Sequence, residues 1–147
     1  MTQTELKVLI ETGIEALAVG EPLKALSLFE RASEIEATPT VRSCLAYCMA
    51  RERGQIKAGR LLCEELTMSD PDNLFHYLNL GRILLLEEDR RAAIEAFRRG
   101  IELSPHPHLI RELSLLGVRK PHVIGFLHRD NLLNKYLGLL SGKLGGR

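Results

Sequence analysis

The side chains best suited to metal chemistry are three cysteines and a group of histidines. Cys44 and Cys48 lie four residues apart, which would place both thiols on one face of a helix. No further cysteine pair or histidine accompanies them at the spacing of zinc ligands. The histidines that could act together are His106, His108, His122 and His128. Neighbouring prolines and the lack of an adjacent acidic residue favour solvated turn histidines. We therefore expect no metal site, no cofactor, and cysteines that pack as small apolar side chains.

No residue pattern typical of a catalytic site occurs in the chain. Gly142 and Lys143 lack the upstream glycine and the following Ser or Thr of a phosphate-binding loop. There is no Gly-x-Ser-x-Gly sequence, which would indicate a nucleophile elbow. The adjacent acidic pairs, such as Glu64 and Glu65, would point in different directions on a helix and are typical of a solvated face. The sequence favours a protein that is not an enzyme.

Composition is that of a folded domain, and the charge is unevenly distributed. The chain has 147 residues, of which 45% are hydrophobic and 27% charged, with a net charge of +1. Residues 106–147 carry seven basic and two acidic side chains, whereas residues 1–105 have a net charge of −4. The small overall charge gives no reason to expect nucleic-acid binding. The basic tail leaves open a weak contact with an anionic lipid head group or RNA, which should weaken steeply with salt.

The start of the chain and its cysteine content favour a cytoplasmic location. Met1 is followed by polar residues rather than by a basic start and a long apolar run, so a secretory signal is not expected. An odd number of cysteines within helical patterns is unlike a secreted disulfide framework. No stretch reaches the roughly 18 apolar residues of a membrane-spanning helix.

A repeat of about 34 residues organises the chain. A small residue recurs at Gly13, Ala46 and Gly81, in steps of 33 and 35 residues. An alanine recurs with the same steps at Ala25, Ala58 and Ala93, and a large apolar residue follows each of these four positions later, at Phe29, Leu62 and Phe97. Small residues allow two helices to approach closely, and the large residue fills the space between repeats.

The third copy of this pattern is the clearest. Tyr77, Leu80, Gly81 and Leu84 are followed by Ala93, Phe97 and Pro105. This arrangement resembles the tetratricopeptide-repeat (TPR) family, whose pattern has an aromatic residue, Leu-Gly, a large residue, Ala, Phe and a final Pro at these spacings. The resemblance implies an all-α fold, a right-handed α-solenoid of three helical hairpins.

The predicted elements follow from this pattern and from turn residues. Residues 1–117 form the solenoid, with repeats at about 6–38, 39–72 and 73–107. Helices are predicted at 4–19, 22–36, 40–53, 56–68, 73–87 and 90–103, with a capping helix at 108–117. Gly20 with Pro22, and Gly54, mark the first two hairpin turns. The third turn lacks glycine, and Asp89 is predicted to cap the helix that follows.

Residues 118–147 form a basic extension with one predicted amphipathic helix. Its apolar positions are Leu132, Leu133, Tyr136, Leu137, Leu140 and Leu144, and Asn134, Gly138 and Ser141 mark the opposite face. This helix could pack on the end of the solenoid, or lie in the groove of its own chain or of a neighbouring copy.

The resemblance also implies which residues line the concave groove. The predicted lining is Lys7, Ile10, Ile14 and Leu17 from the first repeat, Ser43, Tyr47 and Arg51 from the second, and Phe75, Leu78, Asn79 and Arg82 from the third. The family's best-known ligand site clamps the C-terminal carboxylate of heat-shock chaperones with Lys, Asn and Arg side chains. The corresponding positions here are Ile10, Ile14, Cys44, Phe75 and Asn79, none of which matches, and uncharged groups cannot neutralise a buried carboxylate.

The predicted groove is therefore apolar, with Tyr47 and Arg82 as polar contacts, and would suit an apolar or amphipathic helix. The sequence predicts a scaffold or adaptor that binds another protein or peptide. Combining Tyr47→Ala with Leu78→Asp should then abolish binding without unfolding the chain. Two alternatives stay open. The pattern could be shifted by one residue, so that Ile10, Ile14 and Leu78 face the core, or the chain could assemble with itself through its final helix.

Overall fold

The computed structural model describes residues 2–118, which form seven α-helices joined by short turns. The helices are α1 Gln3–Ala18, α2 Pro22–Ile35, α3 Pro39–Arg53, α4 Ile56–Ser69, α5 Leu74–Leu86, α6 Arg90–Leu103 and α7 Pro107–Leu115. Their ends agree with the predicted ones to within two residues, and the all-α fold is confirmed. The predicted amphipathic helix and the extension that carries it lie outside the described residues.

Helix starts are fixed by local side-chain chemistry. Thr38 precedes α3 and accepts a hydrogen bond from the backbone N–H of Val41 through its hydroxyl oxygen, at 3.2 Å. The predicted cap at Asp89 is confirmed, because its carboxylate accepts the N–H of Ala92 at 3.1 Å. Pro22 is the first residue of α2, where its missing N–H costs no helical hydrogen bond. These local interactions determine where α2, α3 and α6 begin.

The turns inside the helix pairs share one backbone conformation at intervals of 34 residues. Gly20, Gly54 and Glu88 have φ angles of 80°, 70° and 62°. Glycine adopts this left-handed region without steric cost, whereas a residue with a β-carbon does not. The predicted turns at Gly20 and Gly54 are confirmed, and in the third turn the chain holds Glu88 in the same conformation.

Equivalent positions of successive helix pairs are 34 residues apart, at the turns and along the second helices. This spacing corrects the predicted steps of 33 and 35 residues. The second helices of the pairs begin at residues 22, 56 and 90 and end at residues 35, 69 and 103. The buried counterpart of Ala25 is Gly59, since the predicted Ala58 is exposed. Likewise Cys63, which is fully buried, takes the place predicted for Leu62. Gly59 is required there because a β-carbon would come within 2.9 Å of the carbonyl oxygen of Ala46.

Successive helices pack against one another, α1 on α2, α3 on α4 and α5 on α6, and each pair stacks on the next to form a solenoid. The core runs through these pairs in three adjoining clusters of buried apolar residues. Helix α7 covers the third pair, as predicted for a capping helix, with Leu109, Ile110 and Leu113 all at most 1% exposed. Leu109 lies against Gly100, where a β-carbon would come within 2.9 Å of its methyl group.

Candidate binding face on the first helices

The predicted groove residues lie on α1, α3 and α5, the first helices of the three pairs, but differ widely in exposure. The exposed ones are Lys7 and Arg51. The half-buried ones are Ile10, Ile14, Leu17 and Phe75. The buried ones are Ser43, Tyr47, Leu78, Asn79 and Arg82. Four apolar side chains and two charged ones therefore remain accessible to a ligand.

The register of α3 within the repeat differs by one residue from the prediction. A step of 34 residues relates Ile10 and Ile14 to Cys44 and Cys48, rather than to Ser43 and Tyr47. Ser43 is fully buried and Tyr47 is 8% exposed, so neither presents a surface to a ligand. The shift arises because Gly59, rather than Ala58, packs against α3.

The face that remains is defined by the 34-residue step, and we call it the inner face. It consists of Ile10, Ile14 and Leu17 on α1, Cys44, Cys48 and Arg51 on α3, and Leu78, Arg82 and Leu85 on α5. Its depth varies because Cys44 and Cys48 are at most 1% exposed, whereas the α1 side chains are half-buried. The accessible apolar part of the inner face therefore lies mainly on α1.

Asn79 and Ser43 join adjacent helix pairs instead of facing a ligand. The amide of Asn79 donates hydrogen bonds to the hydroxyl of Ser43, at 3.2 Å, and to the Sγ atom of Cys44, at 3.4 Å. Asn79 is 1% exposed, so these bonds form within the contact between α3 and α5. Buried amides need such partners because an unpaired one costs about 1–3 kcal/mol.

The alternative in which Ile10, Ile14 and Leu78 face the core is correct for Leu78, which is 1% exposed. Ile10 and Ile14 each contribute one side to the core and leave the other accessible. Ile10 packs against the cluster of Leu6, Leu9, Ala32 and Val41, and Ile14 against the cluster around Phe29. A charge at Leu78 would therefore disrupt the third helix pair, so the variant with Leu78→Asp cannot isolate binding from folding.

Arg82 is the buried cation of the inner face, and its charge is balanced within the chain. Its Nε atom donates to the carboxylate of Glu112 on α7 at 2.7 Å, and its guanidinium lies 5.7 Å from the centre of the Tyr47 ring. The two charged side chains are 9% and 18% exposed. The predicted polar contacts, Tyr47 and Arg82, thus contact each other. Sequence reasoning missed Glu112, although a lone carboxylate among the buried leucines of α7 signals such a partner.

Helix α7 also reaches the first helix of the chain. The guanidinium of Arg111 donates to the carbonyl oxygen of Ala18, 93 positions earlier in the sequence. This contact satisfies a carbonyl at the end of α1 that has no partner within the helix. Between the two helices lies a cleft of about 210 Å³, lined by residues 17–20, Arg82, His108, Arg111, Glu112 and Leu115. The solenoid therefore curves enough for its first and seventh helices to meet at one end of the inner face.

Of the histidines predicted to be solvated turn residues, His106 precedes α7 beside Phe75 and His108 lies within α7. The prediction is wrong for His108, which is only 8% exposed, and His122 and His128 lie outside the described residues. The ring of His106 meets that of Phe75 edge-on, with centres 5.6 Å apart, and also contacts the ring of His108 at 4.8 Å. Within residues 2–118 no three His, Cys, Asp or Glu side chains are grouped so that they could hold a metal ion. Phe75, near the start of α5, thus packs in a cluster of aromatic rings with the two histidines at the start of α7.

Comparison with solved structures agrees with the helical-pair fold. The TPR domain of Sgt2 from Aspergillus fumigatus is 27% identical, with a TM-score of 0.53, and the match covers 78% of this chain and 77% of that one. TTC0263, a thermophilic TPR protein of Thermus thermophilus, is 20% identical, with a TM-score of 0.57 and coverage of 95% and 83%. The chain is a TPR-like protein. No protein-family model and no curated protein matches its sequence.

The cysteines of this TPR-like solenoid are free thiols enclosed by the helices, as the sequence predicted. Cys44, Cys48 and Cys63 are each at most 1% exposed. Burial raises the pKa of Cys44 to about 11 and the pKa values of Cys48 and Cys63 to about 12, because the thiolate loses its hydration. Such thiols are poor nucleophiles at neutral pH.

TPR-like solenoids present a continuous inner surface that is built from successive repeats and is suited to binding other chains. Here that surface offers aliphatic side chains on α1 and an aromatic group at Phe75, while its buried cation is already paired. Within residues 2–118, no helix has both the length and the apolar character to cross a membrane.

Proposed function

We propose that this TPR-like chain is a non-catalytic protein-interaction module whose inner face binds an apolar or amphipathic helix of another protein. The observation that carries the proposal is the row formed by Ile10, Ile14 and Leu17 on α1. These residues are spaced by four and three positions, and all three are half-buried. Each is held by the core on one side and accessible on the other, so the row is a preorganised apolar surface.

A helix is the ligand shape that suits this row. Helices in grooves are recognised through apolar anchors at positions i, i+3 or i+4, and i+7, which matches the spacing along α1. Lys7 and Arg51 are exposed at the edges of the row and can pair with acidic residues of a ligand, whereas Glu11 and Glu15 on α1 can pair with basic ones. Because Arg82 is paired with Glu112, it is not available to neutralise a carboxylate of the ligand.

The test uses a synthetic amphipathic helical peptide with leucines at i, i+3, i+4 and i+7 and with both glutamates and lysines between them. Its affinity for the full chain is compared with that for a variant combining Ile14→Gln and Leu17→Gln. A matched control is Val8→Gln, since Val8 lies on the same helix, outside the row, and is 54% exposed. We expect at least a tenfold loss of affinity in the first variant, no loss in the control, and helical circular dichroism in both.

A scrambled peptide of the same composition should bind at least tenfold more weakly than the amphipathic one. Equal affinity of the two peptides, or equal affinity of the variant and the Val8 control, would show that the apolar row does not form the binding site. Thermal melting of each protein separates this result from unfolding, since a folded variant keeps a cooperative transition.

A further inference from the structure

We infer that residues 130–144 of the same chain occupy the inner face at its α1–α7 end, and that a partner helix has to displace them. The inference rests on the proposed function, because both place a helix on the row formed by Ile10, Ile14 and Leu17. The occupant is a named segment that lies outside the described residues. Its sequence, its reach and its charge each support this assignment.

The sequence of the segment has the pattern that the inner face requires. Leu133, Leu137, Leu140 and Leu144 follow one another at intervals of four, three and four residues. This spacing places them on one side of a helix. The same intervals separate Ile10, Ile14 and Leu17 on α1. Two such rows can pack side by side, as the apolar faces of neighbouring helices do in other solenoids.

The place where the described chain ends brings this segment within reach. Leu115, the last residue of α7, lines the cleft together with residues 17–20 of the first helix pair. Leu115 and Val19 are 67% and 58% exposed, so apolar surface is left uncovered on both sides of the cleft. Eleven residues separate positions 118 and 130, and the chain between these positions can span up to about 40 Å. A helix of 16 residues, such as α1, is only about 24 Å long.

Charge favours the same pairing. Residues 2–118 carry 14 Lys and Arg against 18 Asp and Glu, a net charge of −4. Residues 119–147 carry six basic residues against the single Asp130, a net charge of +5. Helix α1 has three acidic residues, Glu5, Glu11 and Glu15, and one basic residue, Lys7. Opposite charges steer the segment towards this helix and oppose its release at low salt.

The tether makes the segment's own chain the favoured host. Covalent attachment through residues 119–129 gives the segment an effective concentration on the order of a millimolar at its own inner face. A second copy at micromolar concentration competes poorly with this, so the segment occupies its own chain before that of a neighbour. Occupation of the inner face also covers apolar surface that would otherwise remain exposed when no partner is bound.

The experiment measures whether the face is already occupied in the full chain. The probe is a fluorescent peptide with the sequence of residues 130–144. The tail variant combines Leu137→Asp and Leu140→Asp, and its matched control combines Asn134→Asp and Ser141→Asp, which adds the same charge outside the leucine row. We expect the probe to bind the tail variant at least tenfold more tightly than the unmodified chain or the control. Adding Ile14→Gln and Leu17→Gln to the tail variant should abolish that binding.

Two results would overturn the inference. If the probe binds the tail variant and the unmodified chain equally well, or binds neither, residues 130–144 do not occupy the inner face. If light scattering after size exclusion shows a dimer that the tail substitutions convert to a monomer, the segment docks in a neighbouring copy instead.

The glutamate-containing peptide used for the proposed function is titrated against the same proteins. If it binds the tail variant while the probe binds nothing, the module stands and only this occupant is wrong. If it fails to bind the tail variant, the proposed function itself is contradicted.

Discussion

The ring of Phe29 lies against the backbone of Gly13, so close that a β-carbon at position 13 would come within 2.6 Å of the ring's Cζ atom. The same contact recurs 68 residues later, between Phe97 and Gly81. In both helix pairs the first helix supplies no side chain, and the second supplies a fully buried aromatic ring. The two helices can approach closely only because the glycine leaves this space free.

The middle pair has the opposite arrangement. The residue 34 positions after Gly13 is Tyr47, and the residue 34 positions after Phe29 is Cys63. Both belong to the buried core, at 8% and 0% exposure. The large side chain thus comes from the first helix and the small one from the second. Since cores are packed to a nearly constant density, each pair needs one large and one small residue, whichever helix carries them.

The first prediction concerns the Gly13 contact. Gly13→Ala should destabilise the chain by about 1–2 kcal/mol, because overpacking against Phe29 outweighs the better helix propensity of alanine. Thr12→Ala is the matched control, since Thr12 is exposed on the same helix, and it should change stability little. Adding Phe29→Leu to Gly13→Ala should cost less than Phe29→Leu costs alone. Urea unfolding of the unmodified chain, Gly13→Ala, Phe29→Leu and the double variant tests this coupling, and strictly additive effects would contradict it.

The second prediction concerns Glu88, whose φ of 62° falls in the region that glycine occupies at positions 20 and 54. Glu88→Gly should stabilise the chain by about 1 kcal/mol, because it removes the steric cost of a β-carbon in this conformation. Glu88→Ala serves as a control that removes the same charge but retains the β-carbon. Thermal melting should rank the glycine variant highest, and equal melting temperatures for the two variants would attribute any gain to charge alone.

The helices could be predicted from the sequence because their end signals are local. Pro22 and Asp89 act through their own backbone and neighbouring N–H groups, so they identify helix starts without knowledge of the partner. The register of the middle pair could not be found in this way. It lacks the Gly and Phe signature, and Ala58 next to Gly59 offered two small residues where only contact with α3 decides between them.

The candidate site was predictable only in part for a related reason. The sequence predicted which helices carry it, and Ile10, Ile14, Leu17 and Phe75 are accessible there. Arg82 is buried and paired with Glu112, which lies 30 residues later in the sequence, on α7. A repeat pattern predicts which position a residue occupies within its own helix pair. It does not predict which of these residues the capping helix α7 covers.

The third prediction concerns that ion pair. Glu112→Gln should destabilise the chain by about 2 kcal/mol, because it leaves the charge of Arg82 largely buried without a counter-ion. Glu64→Gln is the control, since the Arg60–Glu64 pair is 25% and 46% exposed and Arg60 also pairs with Glu87, so this variant should change stability little. Guanidinium chloride screens charges, so unfolding should be measured in urea. Equal losses of unfolding free energy in Glu112→Gln and Glu64→Gln would contradict the prediction that the buried ion pair contributes more than the exposed one.

The fourth prediction concerns the thiols. Cys44, with a pKa near 11, and Cys48 and Cys63, with values near 12, should react with a disulfide reagent at pH 8 far more slowly than free cysteine. In denaturant all three thiols of the chain should react at once. The Gly13→Ala variant should react faster than the unmodified chain in the absence of denaturant, because it opens more often. Rapid labelling of the native chain would contradict the enclosed placement of these residues.

His76 is the titratable group whose environment links stability to pH. Its side chain is fully buried, and Nε2 lies 2.8 Å from a carboxylate oxygen of Asp70, to which the neutral ring can donate. Burial lowers the pKa of His76, with Arg42 acting in the same direction, and Asp70 opposes this only in part. The hydrogen bonds from His76 and Asn73 lower the pKa of Asp70. The native state therefore holds a neutral imidazole beside an ionised carboxylate.

The fifth prediction follows from that arrangement. In the unfolded chain His76 takes up a proton near its ordinary pKa of 6.5, whereas in the native state it does so only at lower pH. The unfolded state thus binds more protons as pH falls below about 6.5, so the stability contributed by neutral His76 is complete above that pH and is lost as pH falls through the native pKa. His76→Gln, which keeps a donor for Asp70 but cannot titrate, should show a flatter loss of unfolding free energy between pH 7.5 and 5. The other histidines and Asp70 are common to both proteins, so the difference between the two urea-unfolding series isolates His76, and parallel series would contradict the prediction.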